Sequence, residues 1–529
     1  MPTGGQALVR ALRALDVEVA FGLPGVHNLA AWKGFPGSGV RLVGVRHEQS
    51  AGYAADGYAR ATGRLGVALT TTGPGAANVV AATGEAWACH SPLLVVATDI
   101  PSTVRRPDTY LGVLHETTDQ ASFFRPVTKA VRRVSRAHDL YDDVVAAGRL
   151  ALAHPRRPVY LEVPTDLLAA AVPEPQALAV EAPLDEAPSL EAALAALERA
   201  ERPLVWAGGG ASADDAGPLV AALARRLGAP VLTSYGGRGL LAPDDPNLVP
   251  LPAHVPEAGG LWDAADLVLV LGSDLDAMNT QGFRQPQPPV LVAVGLSDPV
   301  TYPADVGVRA RVGPTLERLL AGLATGERPA WWRRPPGREA YAGAGTAFLD
   351  ALEAGLPADA VVVADMCVAG YWCGGFGRVG APRGLAYPVG WGTLGFGFPA
   401  SLGTALSGRP TVAVVGDGGF LFACGELATA AQEQLPVVVV LVDDGGYGML
   451  RYDFVTGGED PVGTELGPPD FVALAAAFRV DARSVTLDEL GAAVAAGLAA
   501  RRPTLLVLQA TLSPPPTTSP NWYRARAPA

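Results

Sequence analysis

TVAVVGDGGFLFACGELATAAQEQLPVVVVLVDDGGYGML, residues Thr411–Leu450, is the stretch that decides the fold. A short apolar run, Thr411–Val415, ends in Gly416-Asp417-Gly418-Gly419. An amphipathic segment follows, then a second apolar run, Pro436–Val442, closed by Asp443-Asp444-Gly445-Gly446. The pattern predicts strand, glycine turn, helix, strand and acidic turn, which is one βαβ unit. In a parallel unit both turns lie at the C-terminal ends of their strands, the edge where open α/β sheets bind ligands. Asp417 and Asp444 should therefore meet in space. Two carboxylates beside glycine amides and a helix N-terminus suit a hard divalent cation holding a diphosphate. Taken alone, the stretch reads equally well as an ordinary glycine-rich turn between strand and helix.

The surrounding chain has 529 residues, too many for one core and a prior for about three domains. Its net charge of −12 argues against nucleic acid and anionic membrane as partners. No apolar run approaches the ~20 residues that span a bilayer. The N-terminus, with Arg10 and Arg13 among Leu8, Val9, Leu12 and Leu15, reads as an amphipathic helix and not as a signal peptide. Cys89, Cys367, Cys373 and Cys424 show no metal-ligand spacing, which points to reduced thiols in a cytoplasmic protein.

Taken in order, helical and strand-like runs alternate through residues 1–180, with glycine turns at Gly22-Leu23-Pro24-Gly25 and Thr72-Gly73-Pro74-Gly75. Strands are expected at Val17–Phe21, Val40–Val45, Gly66–Thr71, Leu93–Thr98 and Pro158–Val163, and helices at Gln49–Thr62 and Ala76–Cys89. Val172–Pro188 reads as a linker. Residues 185–328 form a Rossmann-like unit with strands Pro203–Ala207, Pro230–Thr233, Leu267–Leu271 and Leu291–Val294. Its Gly208-Gly209-Gly210 turn lacks dinucleotide spacing and reads as a close helix–strand approach. Gly326–Gly345 is a second linker. Residues 346–529 form a third unit around Val361–Asp365 and the opening stretch, with a late strand at Thr504–Gln509 and a Pro- and Ser-rich tail, Ser513–Ala529. The fold class is α/β, with three doubly wound parallel-sheet domains.

Two further segments carry the functional signal. Arg46-His47-Glu48 leads into Ala51-Gly52-Tyr53-Ala54-Ala55-Asp56-Gly57-Tyr58, with Thr72-Gly73-Pro74-Gly75-Ala76-Ala77-Asn78 beyond it. Gly390-Trp391-Gly392-Thr393-Leu394-Gly395-Phe396-Gly397-Phe398-Pro399 stands before the opening stretch. With Gly416-Asp417-Gly418 they resemble, in order and over nearly the whole chain, the thiamine-diphosphate (ThDP) enzymes of the acetolactate synthase and 2-oxo acid decarboxylase superfamily. The resemblance implies a pyrimidine-binding, a central and a diphosphate-binding domain. It implies Mg²⁺ ligated by Asp417, Asp444 and the Gly446 carbonyl, phosphate contacts from the N–H groups of Gly418 and Gly419, and cofactor contacts at Gly416 and Tyr447. The family usually closes this motif with Asn-Asn, so Asp444 adds a negative charge here. Glu48 occupies the position of the family's glutamate facing the aminopyrimidine, near Gly73 and Asn78. A carboxyl in an apolar pocket can share a proton with a ring nitrogen. Gly392 would accept the 4′-amino hydrogen bond, and Leu394 would wedge the cofactor into its bent shape.

By the same resemblance, a 2-oxo acid loses CO₂ and leaves an enamine. Protonation then releases an aldehyde, whereas attack on a second carbonyl compound gives an acetolactate-type carboligation. A non-catalytic ThDP-binding paralogue is the alternative of another class. His27, His115 and Glu116 are the candidate substrate-side residues, since imidazole suits proton transfer near neutrality. Asp453 stands where acetolactate synthases usually place Trp. Gly22–Asn28 and Leu111–Gln120 look closer to the clade acting on 5-guanidino-2-oxopentanoate (2-ketoarginine), whose cationic tail Asp453 or Glu116 could pair. FAD is not expected, because Leu271–Asp276 lacks the arginine that flavin-carrying relatives show. The resemblance implies a homodimer or homotetramer with active sites at subunit interfaces.

Overall fold

The computed structural model describes residues 1–106, 108–174, 188–297 and 299–524. It contains three parallel sheets. The first joins β1 (Val19–Gly22), β2 (Arg41–Gly44), β3 (Gly66–Thr70), β4 (Leu93–Asp99), β5 (Ala130–Arg133) and β6 (Val159–Pro164) in the order β2-β1-β3-β4-β6-β5. The second joins β7 (Pro203–Ala207), β8 (Val231–Thr233), β9 (Leu267–Leu271), β10 (Leu291–Gly295) and β11 (Val306–Arg309) as β11-β10-β9-β7-β8. The third joins β12 (Val361–Ala364), β13 (Leu385–Ala386), β14 (Thr411–Gly416), β15 (Val437–Asp443), β16 (Asp481–Ser484) and β17 (Thr504–Gln509) as β13-β12-β14-β15-β17-β16. The doubly wound α/β class expected from the alternating pattern is what the chain adopts.

The interior strands were legible because helices cover both faces of a parallel sheet, so such strands become unbroken apolar runs. β4 is buried at every residue, and β15 at all but Asp443. Four edge strands, β5, β11, β13 and β16, were not foreseen. Each is short and partly exposed, and β5 and β16 mix charges into the run, so neither burial nor alternation marks them. The helix expected after Asp417 is broken instead into Asp417–Leu421, a 3₁₀ turn Cys424–Glu426, and Leu427–Glu433. Residues 175–187 of the first linker and 525–529 of the tail lie outside the described residues. The second linker is strapped to the central unit: Trp331 Nε1 donates to Pro203 O at 2.8 Å and Arg334 to Pro243 O and Asp245 O. The tail does the same, through Arg524 to Asp263 at 2.7 Å.

The first and third units meet through the helices Glu48–Thr62 and Gly397–Ala405. These cross where each helix presents a glycine, Gly57 and Gly403, to the backbone of the other. A Cβ at Gly57 would lie 2.1 Å from Ala400 O, and one at Gly403 would lie 1.7 Å from Ala54 O. Thr404 Oγ1 donates to Gly57 O at 3.2 Å across the same crossing. This contact packs the first and third units against each other along those two helices. In the central unit, a Cβ at Gly208 would lie 2.3 Å from Gly272 O, the close approach expected of its glycine triad.

Candidate functional site

β14 and β15 pair in register to Gly416↔Val442, so their terminal turns open on the same edge. Asp417 and Asp444 line one cavity there, of about 120 Å³. Leu394, Gly446 and Tyr447 complete its wall, with Gly416, Gly418 and Gly419. Asp417 is 1% exposed. Its Oδ2 and Asp444 Oδ1 are buried without hydrogen-bond partners. Burial, then the neighbouring Asp444 charge, push the Asp417 carboxyl up to about 6. Burial raises Asp444 too, opposed first by Arg451, whose guanidinium lies 3.9 Å from Oδ1. Two orphaned anionic oxygens in one cavity are a deficit that a divalent cation relieves. Among the described residues no group of three or more His, Cys, Asp and Glu side chains forms a metal cage. A cation here would draw its remaining oxygen ligands from backbone, water or phosphate, the usual mode for Mg²⁺. The wall leaves room by lacking side chains: a Cβ at Gly418 would meet Tyr447 Cε1 at 2.7 Å, and one at Gly446 would meet Thr464 O at 2.1 Å.

The turn carrying Gly392 and Leu394 is held from two sides. Gly392 and Gly395 take φ of +68° and +78°, open only to glycine without strain. Asp365, at the end of β12, is 1% exposed and accepts from the N–H groups of Met366, Gly395 and Gly397 at 2.7, 3.1 and 3.0 Å. Burial pushes this carboxyl up to about 6 against those donors. From the first unit, Glu85 Oε2 accepts the Trp391 N–H at 3.0 Å and the Thr393 hydroxyl at 3.3 Å.

Glu48 is the first residue of its helix and 6% exposed. Asn78 Nδ2 donates to its Oε2 at 2.9 Å, leaving Oε1 for a proton. His27 is buried with Nδ1 2.8 Å from Thr72 Oγ1, and its ring lies 5.3 Å from that of His115. Burial, then His115, hold His27 below the usual imidazole range. His115 has φ +66° and a buried, unpartnered Nδ1. Such a backbone in a non-glycine residue is uncommon and clusters at functional sites. Gly73 takes φ +63°, and a Cβ there would lie 2.4 Å from His115 O. Its N–H donates to Gln120 Oε1 at 2.5 Å.

Several expected contacts are therefore spent internally. Gly73 N–H serves Gln120, and Asn78 serves Glu48. Glu116 Oε2 accepts the N–H groups of Leu111 and Val113, each at 2.9 Å, and so braces its own loop. Asp453 is exposed on the helix Gly448–Thr456 and lies outside the cavity wall. No residue before Met366 lines the Asp417 cavity, so one chain does not bring Glu48, His27 and His115 into it. Asp365, Glu85, Glu426, Gln120 and Arg451 went unread as site residues. Only Asp365 had a local signal, as an acidic residue ending a strand on the ligand-binding edge.

Comparison with known proteins gives the family of the chain. Residues 2–123, 190–319 and 367–508 match three families, described as the N-terminal TPP binding, central and C-terminal TPP binding domains of thiamine pyrophosphate enzymes. The chain is 39% identical to the probable 2-ketoarginine decarboxylase AruI of Pseudomonas aeruginosa, covering 96% of this chain and 94% of that protein. It is 32% identical to the acetolactate synthase large subunit of Parasynechococcus marenigrum, over 95% and 87% of the two chains. Among solved structures it superposes on the thiamine diphosphate-dependent 4-hydroxybenzoylformate decarboxylase of Rhodococcus jostii with a TM-score of 0.83, at 26% identity over 97% and 100% of the chains.

Proposed function

The chain belongs to the thiamine pyrophosphate enzymes, and on that premise we propose that it decarboxylates a 2-oxo acid with ThDP and Mg²⁺ and releases the aldehyde. When bound, ThDP supplies a carbon nucleophile for the oxo carbon and a sink for the electron pair that CO₂ leaves behind. The protein's own residues do the rest. Asp417 and Asp444, with the Gly446 carbonyl, would hold the cation, and Gly418 and Gly419 would turn N–H groups of a first helical turn toward the diphosphate. The Gly392 carbonyl and the Leu394 side chain would orient the rings. Glu48, fixed by Asn78 at Oε2, would hold and pass a proton at Oε1.

The observation that carries the decarboxylase reading is the His27–His115 pair, 5.3 Å apart beside the Gly73 turn. The two rings can relay a proton through their N–H groups to the carbon that has lost CO₂, which is the step that ends in aldehyde. The substrate we propose first is 5-guanidino-2-oxopentanoate, on the strength of the full-length similarity to a protein named for it. We also propose a homodimer as the working unit, with sites shared between chains. Exposed apolar side chains flank both half-sites, Val26, Leu111 and Leu114 beside the histidines and Trp391, Phe422 and Leu450 beside the cavity, and a second copy would cover them.

The experiment is CO₂ release from a panel of 2-oxo acids with ThDP and Mg²⁺, with products identified by mass. The expected result is an aldehyde with preference for 2-ketoarginine, abolished by chelation and restored by Mg²⁺. Acetolactate from pyruvate as the main product would overturn it in favour of carboligation.

A further inference from the structure

We propose that Glu426 and Glu85 are positioning residues that clamp the two halves of the site from opposite directions. This rests on the reading of Glu48 and Gly392 above. Glu426 belongs to the third unit and ends the 3₁₀ turn that follows Asp417 and its helix. It is 1% exposed. Its Oε1 accepts the N–H groups of Arg46 at 2.9 Å and His47 at 3.1 Å, the two residues immediately before Glu48. Its Oε2 accepts the Thr429 hydroxyl at 2.6 Å. These two amides lie ahead of the helix Glu48–Thr62 and have no helical carbonyl to reach, so an acceptor from outside sets where the helix begins. The carboxylate of Glu48 hangs from that first residue.

Glu85 runs the other way. It belongs to the first unit, is fully buried, and accepts from Trp391 and Thr393, the neighbours of Gly392 on either side. Its Oε1 lies 3.4 Å from Arg60 Nη2, and Arg60 is paired to Asp56 at 2.6 Å and donates to Tyr387 O at 3.0 Å. A carboxylate oxygen accepts, and in each clamp one such oxygen faces two donors of the other unit. Buried charges add little to stability over a well-packed apolar residue. What they add here is the placement of two catalytic turns, each by the unit that does not own it.

The test uses full-length protein, thiamine diphosphate and Mg²⁺, with three readouts: deuterium exchange at C2 of bound ThDP, ThDP affinity by tryptophan fluorescence, and thermal unfolding of the cofactor-free protein. Glu426→Leu should slow exchange by about tenfold or more, as misplacement of a reacting group does. ThDP affinity should stay within about threefold, because the diphosphate end is untouched. Glu426→Gln should restore exchange: its oxygen can serve both amides while its NH₂ donates to the Thr429 hydroxyl. Glu85→Met should weaken ThDP affinity by about tenfold through loss of the Gly392 turn. Exchange, affinity and melting temperature falling together in Glu426→Leu, without rescue by Gln, would reduce Glu426 to a structural role and overturn the proposal. If Glu426→Leu does not yield folded protein, Glu426→Asp keeps the charge one methylene short, and wild-type exchange in that variant overturns it equally. Glu48→Gln separates the two levels. Fast exchange there would remove the role given to Glu48 itself; slow exchange there with fast exchange in the Glu426 variants would remove only the clamp.

Discussion

Asp444 puts a second negative charge where related motifs carry a neutral amide, and the structure shows what sits beside it. Arg451, on the following helix, donates to Asp444 O from two nitrogens at 3.2 Å and keeps its guanidinium 3.9 Å from Oδ1. The same side chain pairs with Glu465 at 2.9 Å. On the proposed function, Asp444 would thus keep an oxygen for a cation while part of its repulsion toward a diphosphate is cancelled. Arg451→Met should lower ThDP affinity at saturating Mg²⁺ by about two- to fivefold, the range of a solvent-screened pair. Asp444→Asn in that background should recover most of the loss, which a double-mutant cycle resolves. Wild-type affinity in Arg451→Met would mean that Arg451 does not balance the extra charge.

At the scale of elements, the site depends on the crossing of Glu48–Thr62 with Gly397–Ala405. Gly403 meets Ala54 O, and Gly57 meets Ala400 O, with backbone on both sides and no flexible side chain to move away. Gly403→Ala should therefore destabilise the protein by about 1–3 kcal/mol, as overpacking does. Gly260 is the contrast. It lies inside the helix Pro256–Ala264 with nothing within 4 Å of an added Cβ. Gly260→Ala should stabilise by about 0.5–1 kcal/mol through helix propensity alone. Chemical unfolding of the two variants checks the pair: equal effects would mean that the crossing tolerates a methyl group.

At the scale of the molecule, one chain holds both half-sites but does not join them, since the Asp417 cavity has no wall from the first unit. A shared site predicts complementation. Glu48→Gln and Asp417→Ala should each be inactive alone. Mixed and reassembled, half the dimers would be mixed and one of their two sites intact, so about a quarter of wild-type activity should return. No recovery would place each site within a single chain. What the sequence determined by itself was local. Buried parallel strands are largely apolar, turns at their ends need glycine, and the roles proposed for Glu48, Asp417 and Asp444 rest on residue type and near neighbours. Edge strands escaped because solvent on one side removes the need for an apolar run. What only the tertiary structure decided is which distant groups meet. Glu426 reaches amides 380 residues away, Glu85 reaches a turn some 306 residues on, and Gln120 takes the N–H of Gly73. A buried donor must find an acceptor, but the sequence does not say which one, because any carboxylate brought to the spot satisfies it.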